Sequence, residues 1–189
     1  AKITNQRWAY SAYGTAAAFT LSPRDTVYCC LPLHHPAGML VTVGGSLVGG
    51  SRLALGTHFD PEALWDDVRR YGATVVFYAG EMLRELLRAQ PSATDNQTPL
   101  RLFAGSGHRR DVWQRIVERF GPVGILEFYA STEGNAVLAN ASGEKVGALG
   151  RPLPGSAEIE LVRYDFDAEE FMRDEHGLLV RCEPGEEGV

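Results

Sequence analysis

Cysteine is scarce in this chain of 189 residues: Cys29 and Cys30 are adjacent and Cys182 stands far away. Such a set has neither the even count of a disulfide framework nor the ligand spacing of a zinc site, so a reducing compartment suits it. Long apolar runs are missing as well. The longest central stretch without a charge, residues 38–51, is shorter and richer in glycine than the roughly 20 apolar residues that a membrane-crossing helix needs. Blocks of basic residues are absent: 18 Lys and Arg are scattered among 24 Asp and Glu, for a net charge of −6. Duplex nucleic acid, whose binding rests on clustered cations that displace counterions, is therefore not the expected partner. There is no internal repeat, no low-complexity tract, no signal-peptide pattern and no methionine at position 1, so the chain reads as an excised piece. What is present is ordinary globular composition, 44% hydrophobic with 10% aromatic residues, enough to bury a core and offset chain entropy. The length suits one domain or part of a larger one.

Apolar periodicity divides the chain into alternating elements. Residues 4–20 offer Thr4 or Asn5 as a cap and then Trp8, Ala12, Thr15, Ala16 and Phe19 at helical spacing. The unalternating apolar run at residues 26–31 predicts a strand covered on both faces, residues 73–78 form the clearest buried strand, and residues 52–55, 100–104 and 123–129 read as further strands. Between them, residues 39–48, 63–71, 80–88 and 111–120 carry apolar positions at helical spacing. This order predicts an α/β fold of right-handed βαβ units: a largely parallel sheet with helices on both faces. After Gly150 the texture changes. Alternation over residues 157–162 and an apolar run at residues 178–180 predict a short antiparallel hairpin, dividing the chain at 1–150 and 151–189.

In parallel sheets ligands bind beyond the carboxyl ends of the strands, which singles out three loops. The first, residues 32–38, brings adjacent imidazoles, His34 and His35, to a strand end, where one can donate to a carboxylate or acyl-phosphate oxygen. No Cys or carboxylate stands at ligand spacing there, which argues against a metal held by this pair. The second, Gly105-Ser106-Gly107, lets backbone approach a flat ligand edge, and reads equally as a plain strand-to-helix turn. The third is Glu127-Phe128-Tyr129-Ala130-Ser131-Thr132-Glu133-Gly134. Its ring can stack on a purine, its Thr132 hydroxyl can meet a phosphate, and Glu133 can help to hold a magnesium ion, Mg2+, that shares substrate phosphates. A capped turn, with Glu133 facing the positive end of a following helix, accounts for the same residues. Cys29 and Cys30 read as small core hydrophobes, and Met82, Leu83, Leu86 and Leu87 as a core stripe.

Taken in order, these stretches carry a resemblance that covers nearly the whole chain. Cys30-Leu31-Pro32-Leu33-His34-His35-Pro36-Ala37-Gly38, Trp65-Asp66-Asp67, Tyr78-Ala79-Gly80-Glu81, Gly105-Ser106-Gly107, residues 127–133 and residues 146–155 resemble the adenylate-forming enzymes. Among these the chain is most similar to very-long-chain acyl-CoA synthetases and fatty acid transport proteins. The resemblance implies activation of a fatty acid by ATP as an acyl-adenylate, followed by transfer to coenzyme A. Carried over, His35, Thr132 and Glu133 are the catalytic set, with Glu133 on Mg2+. Gly105, Ser106, Gly107, Glu127, Phe128, Tyr129 and Thr132 line the nucleotide. His34 stands where relatives often have an aromatic residue and Pro36 where many have Ser. The resemblance also implies a glycine-rich phosphate loop before residue 1, and a ribose-binding Asp and a mobile domain with a catalytic Lys after residue 189. The remainder of the same polypeptide is thus an expected partner, the chain alone is expected to be inactive, and the placement is cytoplasmic, free or peripheral to a membrane. A carrier protein as acceptor, or a non-catalytic module that binds acyl-adenylates or a partner, stays open at this stage.

Overall fold

Apolar runs without alternation need cover on both sides, and the computed structural model, which describes residues 2–107, 109–133, 136–143, 145–153 and 156–189, buries residues 26–29 and 75–78 throughout. Strands β1 (Thr26–Cys29), β2 (Arg52–Leu55), β3 (Val75–Ala79), β4 (Leu102–Ser106) and β5 (Gly124–Ala130) are parallel and ordered β2-β1-β3-β4-β5. The connections run one way from β1 and the other way from β3, so the switch point of this α/β sheet lies between those strands. Helices α3 (Leu64–Tyr71), α4 (Met82–Arg88) and α5 (Arg110–Phe120) cover one face, where Trp65, Leu83, Leu86 and Ile116 pack on Val76, Tyr78 and Phe103. The other face carries Val27, Val75, Phe77 and Leu126 under Phe19, which follows α1 (Asn5–Ala18). Within β3 the division follows the two-residue pleat: Val75 and Phe77 enter one core, Val76 and Tyr78 the other. Helices on both faces of a largely parallel sheet are thus as the sequence predicts.

Three local details differ. The helix expected over residues 39–48 begins instead as a π-helix, Ala37–Val43, and becomes α2 (Gly44–Gly49). The hydroxyl of Thr42 donates to the Ala37 carbonyl, five residues back, at 2.9 Å. Gly44 and Gly45 allow α2 to close on α1: a Cβ on them would lie 2.9 Å from the Ala12 Cβ and 2.5 Å from the Thr15 Cγ2. Those glycines weaken the α-helical preference of the segment, which leaves packing to decide its form.

Two further strands, β6 (Val137–Asn140) and β7 (Arg151–Pro152), extend the sheet antiparallel beyond β5 and were not anticipated from the sequence. The hairpin expected between residues 157–162 and 178–180 forms only at their ends, where the Cys182 amide donates to the Leu161 carbonyl at 2.9 Å and the Arg163 amide to the Val180 carbonyl at 2.8 Å. β8 (Tyr164–Asp165) pairs with β9 (Glu170–Phe171), and only single bridges, Val162 to Arg181 and Arg173 to Leu179, continue it. The turn decides this register: Asp165 Oδ1 accepts from the amides of Asp167 and Ala168, both at 2.9 Å, and Tyr164 meets the Phe166 and Phe171 rings edge-on at 5.2 Å. Alternation over residues 157–162 lacks such a lock.

At the amino end of the sheet, buried Asp25 ties four segments together. It accepts from Arg101 Nε at 2.8 Å, from the Thr74 hydroxyl at 2.7 Å and from the Ser22 amide at 2.9 Å, while Arg101 also donates to the Phe19 carbonyl at 2.9 Å. The opposite, carboxyl end is left for the loops.

Candidate functional site

The Gly105-Ser106-Gly107 loop closes β4 under tight steric limits. A Cβ on Gly105 would lie 2.0 Å from the Tyr78 carbonyl oxygen, and Gly107, with φ +99°, would bring one to 3.0 Å from the Gly80 Cα. Only glycine fits at both positions. Below the loop sits Glu127, 2% exposed, whose Oε1 accepts from the Gly107 amide at 2.6 Å and whose Oε2 accepts from the Tyr78 hydroxyl. Burial, followed by the charge and hydrogen bond of Glu127, pushes the Tyr78 phenol upward, so the hydroxyl keeps its proton and donates. Glu127, read from the sequence as cofactor-binding, thus reaches the site through the loop it holds. Phe128, read the same way, lies on the other face of β5, packed against Phe77 at 5.9 Å and Phe19 at 6.5 Å between ring centres. Phe128 is half-buried there. Tyr129, 46% exposed beyond Glu127 on the same face, offers its ring outward.

The imidazole loop is a tight turn in which the His35 amide donates to the Pro32 carbonyl at 3.0 Å. A Cβ on Gly38 would lie 2.6 Å from that same oxygen. His35 is exposed, and its Nδ1 accepts from the Ala37 amide at 3.1 Å. With Nδ1 as acceptor, the ring proton is on Nε2, and Nε2 is the donor available to a ligand. A cavity of about 410 Å³ opens between this loop and the start of α1, lined by Thr4, Trp8, His34, His35, Met39 and, from the loop after β5, Thr132. Two residues of the expected catalytic set therefore share one cavity, with apolar walls beside them. Tyr129 and residues 105–107 lie at the same sheet end, on neighbouring strands, outside this lining.

Glu133 is exposed next to Thr132. Among the described residues no group of three or more His, Cys, Asp or Glu is placed to hold a metal ion. A lone carboxylate beside a hydroxyl fits Mg2+ shared with substrate phosphates, because that ion retains water and takes one or two protein carboxylates. It does not fit an all-protein cage. Cys29 and Cys30 are buried, and burial, followed by the charge of Cys29, pushes the Cys30 thiol up to about 12, which removes it as a nucleophile. Met82, Leu83 and Leu86 are core residues, as expected. Ala1, His108, Gly134, Asn135, Glu144, Pro154 and Gly155 lie outside the described residues.

Two site residues escaped sequence reasoning. Tyr78 is one. The other is Arg7, in the first turn of α1, whose guanidinium donates to the carbonyls of Ser131 at 3.2 Å, of Glu133 at 3.0 Å and of Thr132. A signal existed, since a cation in the first turn opposes the helix dipole and calls for a partner elsewhere.

A sequence profile described as AMP-binding enzyme matches residues 1–185. The chain belongs to this family. Its relatives among curated proteins include long-chain fatty acid transport protein 2 of Rattus norvegicus, 37% identical over 94% of this chain and 29% of that protein. Human long-chain fatty acid transport protein 1 is 39% identical over 91% of this chain and 27% of its own length. Long-chain fatty acid transport protein 5 of Homo sapiens is 40% identical over 87% and 24%. The AMP-binding chain spans less than a third of each of these relatives. Its fold is similar to that of Mycobacterium smegmatis MbtA without ligand, with a TM-score of 0.77 and 22% identity over 98% of this chain and 32% of that one. It is also similar to o-succinylbenzoate coenzyme A synthetase (MenE) of Bacillus subtilis in complex with ATP and magnesium ion, with a TM-score of 0.65 and 22% identity over 94% and 35%. The resemblance to adenylate-forming enzymes read from the motifs is thereby met, within the branch that holds the fatty acid transport proteins.

Proposed function

We propose that this AMP-binding chain forms the central nucleotide- and acyl-binding part of an ATP-dependent long-chain fatty acyl-CoA synthetase. The observation that carries the reading is the cavity shared by His35 and Thr132 at the carboxyl end of the sheet. A carboxylate is a poor acylating agent, and the enzyme need mainly align it with ATP and neutralise charge at phosphorus. In the first step a carboxylate oxygen of the fatty acid attacks the α-phosphorus and the bond to pyrophosphate breaks. In the second, the sulfur of coenzyme A attacks the acyl carbon, AMP departs and the thiol proton passes to solvent.

Each residue then has a part. Tyr129 stacks on adenine, and residues 105–107, steadied by Glu127 and Tyr78, line its edge. The Thr132 hydroxyl donates to an α-phosphate oxygen, and His35 Nε2–H donates to the reacting carboxylate. Glu133 holds Mg2+ with the phosphates, where the ion supplies charge neutralisation. The apolar wall of Trp8 and Met39 suits the first methylenes of the acid. The phosphate loop and the mobile C-terminal domain belong, in this reading, to the remainder of the same polypeptide. The protein works in the cytoplasm, free or peripheral to a membrane; among the described residues no helix is long and apolar enough to cross one.

The test is exchange of labelled pyrophosphate into ATP by the full gene product, over a series of acid lengths, followed by formation of acyl-CoA. Exchange that depends on a long-chain acid, with thioester formation on coenzyme A, is the expected result, and residues 1–189 alone are expected to be inactive. No exchange beside an active synthetase overturns the reading, and transfer only to a carrier protein overturns its second step.

A further inference from the structure

The Ser131, Thr132 and Glu133 carbonyls all turn toward one side chain. Arg7 donates to the Glu133 carbonyl at 3.0 Å, to that of Ser131 at 3.2 Å and to that of Thr132. β5 ends at Ala130, so these residues lie beyond the paired register of β5 and β6. A planar guanidinium presents five N–H donors in a rigid fork, which allows one side chain to serve three consecutive acceptors. A lysine ammonium is a point charge on a flexible stem and does not reproduce that plane.

The anchor is itself fixed. The Arg7 amide donates to the Thr4 hydroxyl at 3.2 Å, which caps α1, and Thr4 lines the same cavity as Thr132. The helix start and the loop therefore close on the cavity as one connected unit. Among the described residues Arg7 forms no ion pair. Its position in the first turn of α1 opposes the helix dipole, so its energetic return comes from the loop carbonyls rather than from the helix.

We infer that Arg7 is a positioning residue that holds residues 131–133 in the conformation that receives the nucleotide phosphates. The inference rests on the reading of residues 129–133 as the nucleotide loop. Arg7 acts from behind that loop and touches neither ATP nor the acid. Without its fork the three carbonyls lose their shared donor, and the Thr132 hydroxyl and Glu133 carboxylate lose their common orientation before ATP arrives. The consequence is selective. ATP, which needs the loop, is affected, and the fatty acid, bound against the apolar wall, is not.

The experiment uses the full gene product with Arg7→Met and Arg7→Lys. Steady-state constants are measured for ATP and for fatty acid, and amide hydrogen exchange of the loop is measured without ligands. Arg7→Met is expected to raise KM for ATP about tenfold, in keeping with the loss of hydrogen bonds from a charged donor, and to leave KM for the acid within about twofold. Arg7→Lys is expected to recover only part of that loss, and loop amides are expected to exchange faster in Arg7→Met while those of β3 and β4 do not. A wild-type KM for ATP in Arg7→Met, or full rescue by Lys, overturns the inference. So does unchanged loop exchange in Arg7→Met, or a loss confined to kcat with a parallel fall in thermal midpoint. Wild-type protein without adenylation activity overturns the functional reading and the nucleotide role of Arg7 with it, whereas active wild type with an unaffected Arg7→Met overturns Arg7 alone.

Discussion

Glu127 and Glu133 are both carboxylates of one loop-ending strand segment, and their surroundings give them opposite work. Glu127 is 2% exposed and serves the Gly107 amide and the Tyr78 hydroxyl, whereas Glu133 is exposed beyond the end of the strand. A buried carboxylate with such partners is structural, and removing it leaves donors without acceptors. An exposed one is free to share a cation with substrate. Glu133→Ala in the full gene product is therefore expected to lose most of the pyrophosphate-exchange rate with an unchanged thermal midpoint; wild-type turnover in that variant contradicts the Mg2+ assignment. His35 and Thr132, picked out by their chemistry and their places at strand ends, line one cavity. The pleat sends Phe128 to the face opposite Tyr129, against Phe77 and Phe19. For Arg7 local pattern marks only an unfavourable cation in the first turn of α1 and not its acceptors, which lie more than 120 residues away in sequence.

Elements were the most legible level, and the reason is physical. Strands β1 and β3 are buried on both sides because helices cover both, so each shows as an apolar run, and α3 and α5 show a one-sided stripe. β6, β7 and the β8–β9 hairpin did not show, because short strands at a sheet edge or on an exposed surface are fixed by pairing and turn bonds rather than by burial. The Asp25 junction is a related case, in which no motif marks a residue that fastens α1, β1, β3 and β4. Burial alone would raise its carboxyl, but hydrogen bonds from Arg101, Thr74 and Ser22 outweigh this and lower it to about 2 from 3.8. A depressed acid stabilises the fold above its ordinary value, and that stabilisation disappears as pH falls from about 4 through about 2. Arg101 is 37% exposed, so solvent screens part of the effect, which leaves about 2 kcal/mol. Asp25→Asn is expected to lower stability at pH 7 by that amount and to flatten the acid slope in this window, read by urea unfolding of the chain. An acid slope unchanged by the substitution contradicts the assignment.

For the molecule as a whole, the parallel sheet brings one imidazole loop, one glycine turn and one aromatic-to-carboxylate loop to a single end, although they are scattered through the sequence. Helix α1, itself outside the βαβ run, closes the arrangement by lining the cavity with Thr4 and Trp8 and by gripping the last loop through Arg7. This chain covers less than a third of its relatives, and the proposed function gives that part the alignment of acid and nucleotide. The most direct test is a crystal structure of the full gene product with a stable sulfamoyl analogue of a long-chain acyl-adenylate. The account predicts the adenine ring on Tyr129, its edge against residues 105–107, the sulfamoyl group within hydrogen-bond reach of Thr132 and His35, and the acyl chain leaving past Trp8 and Met39. An analogue bound elsewhere, with the cavity between His35 and Thr132 filled only by water, contradicts it.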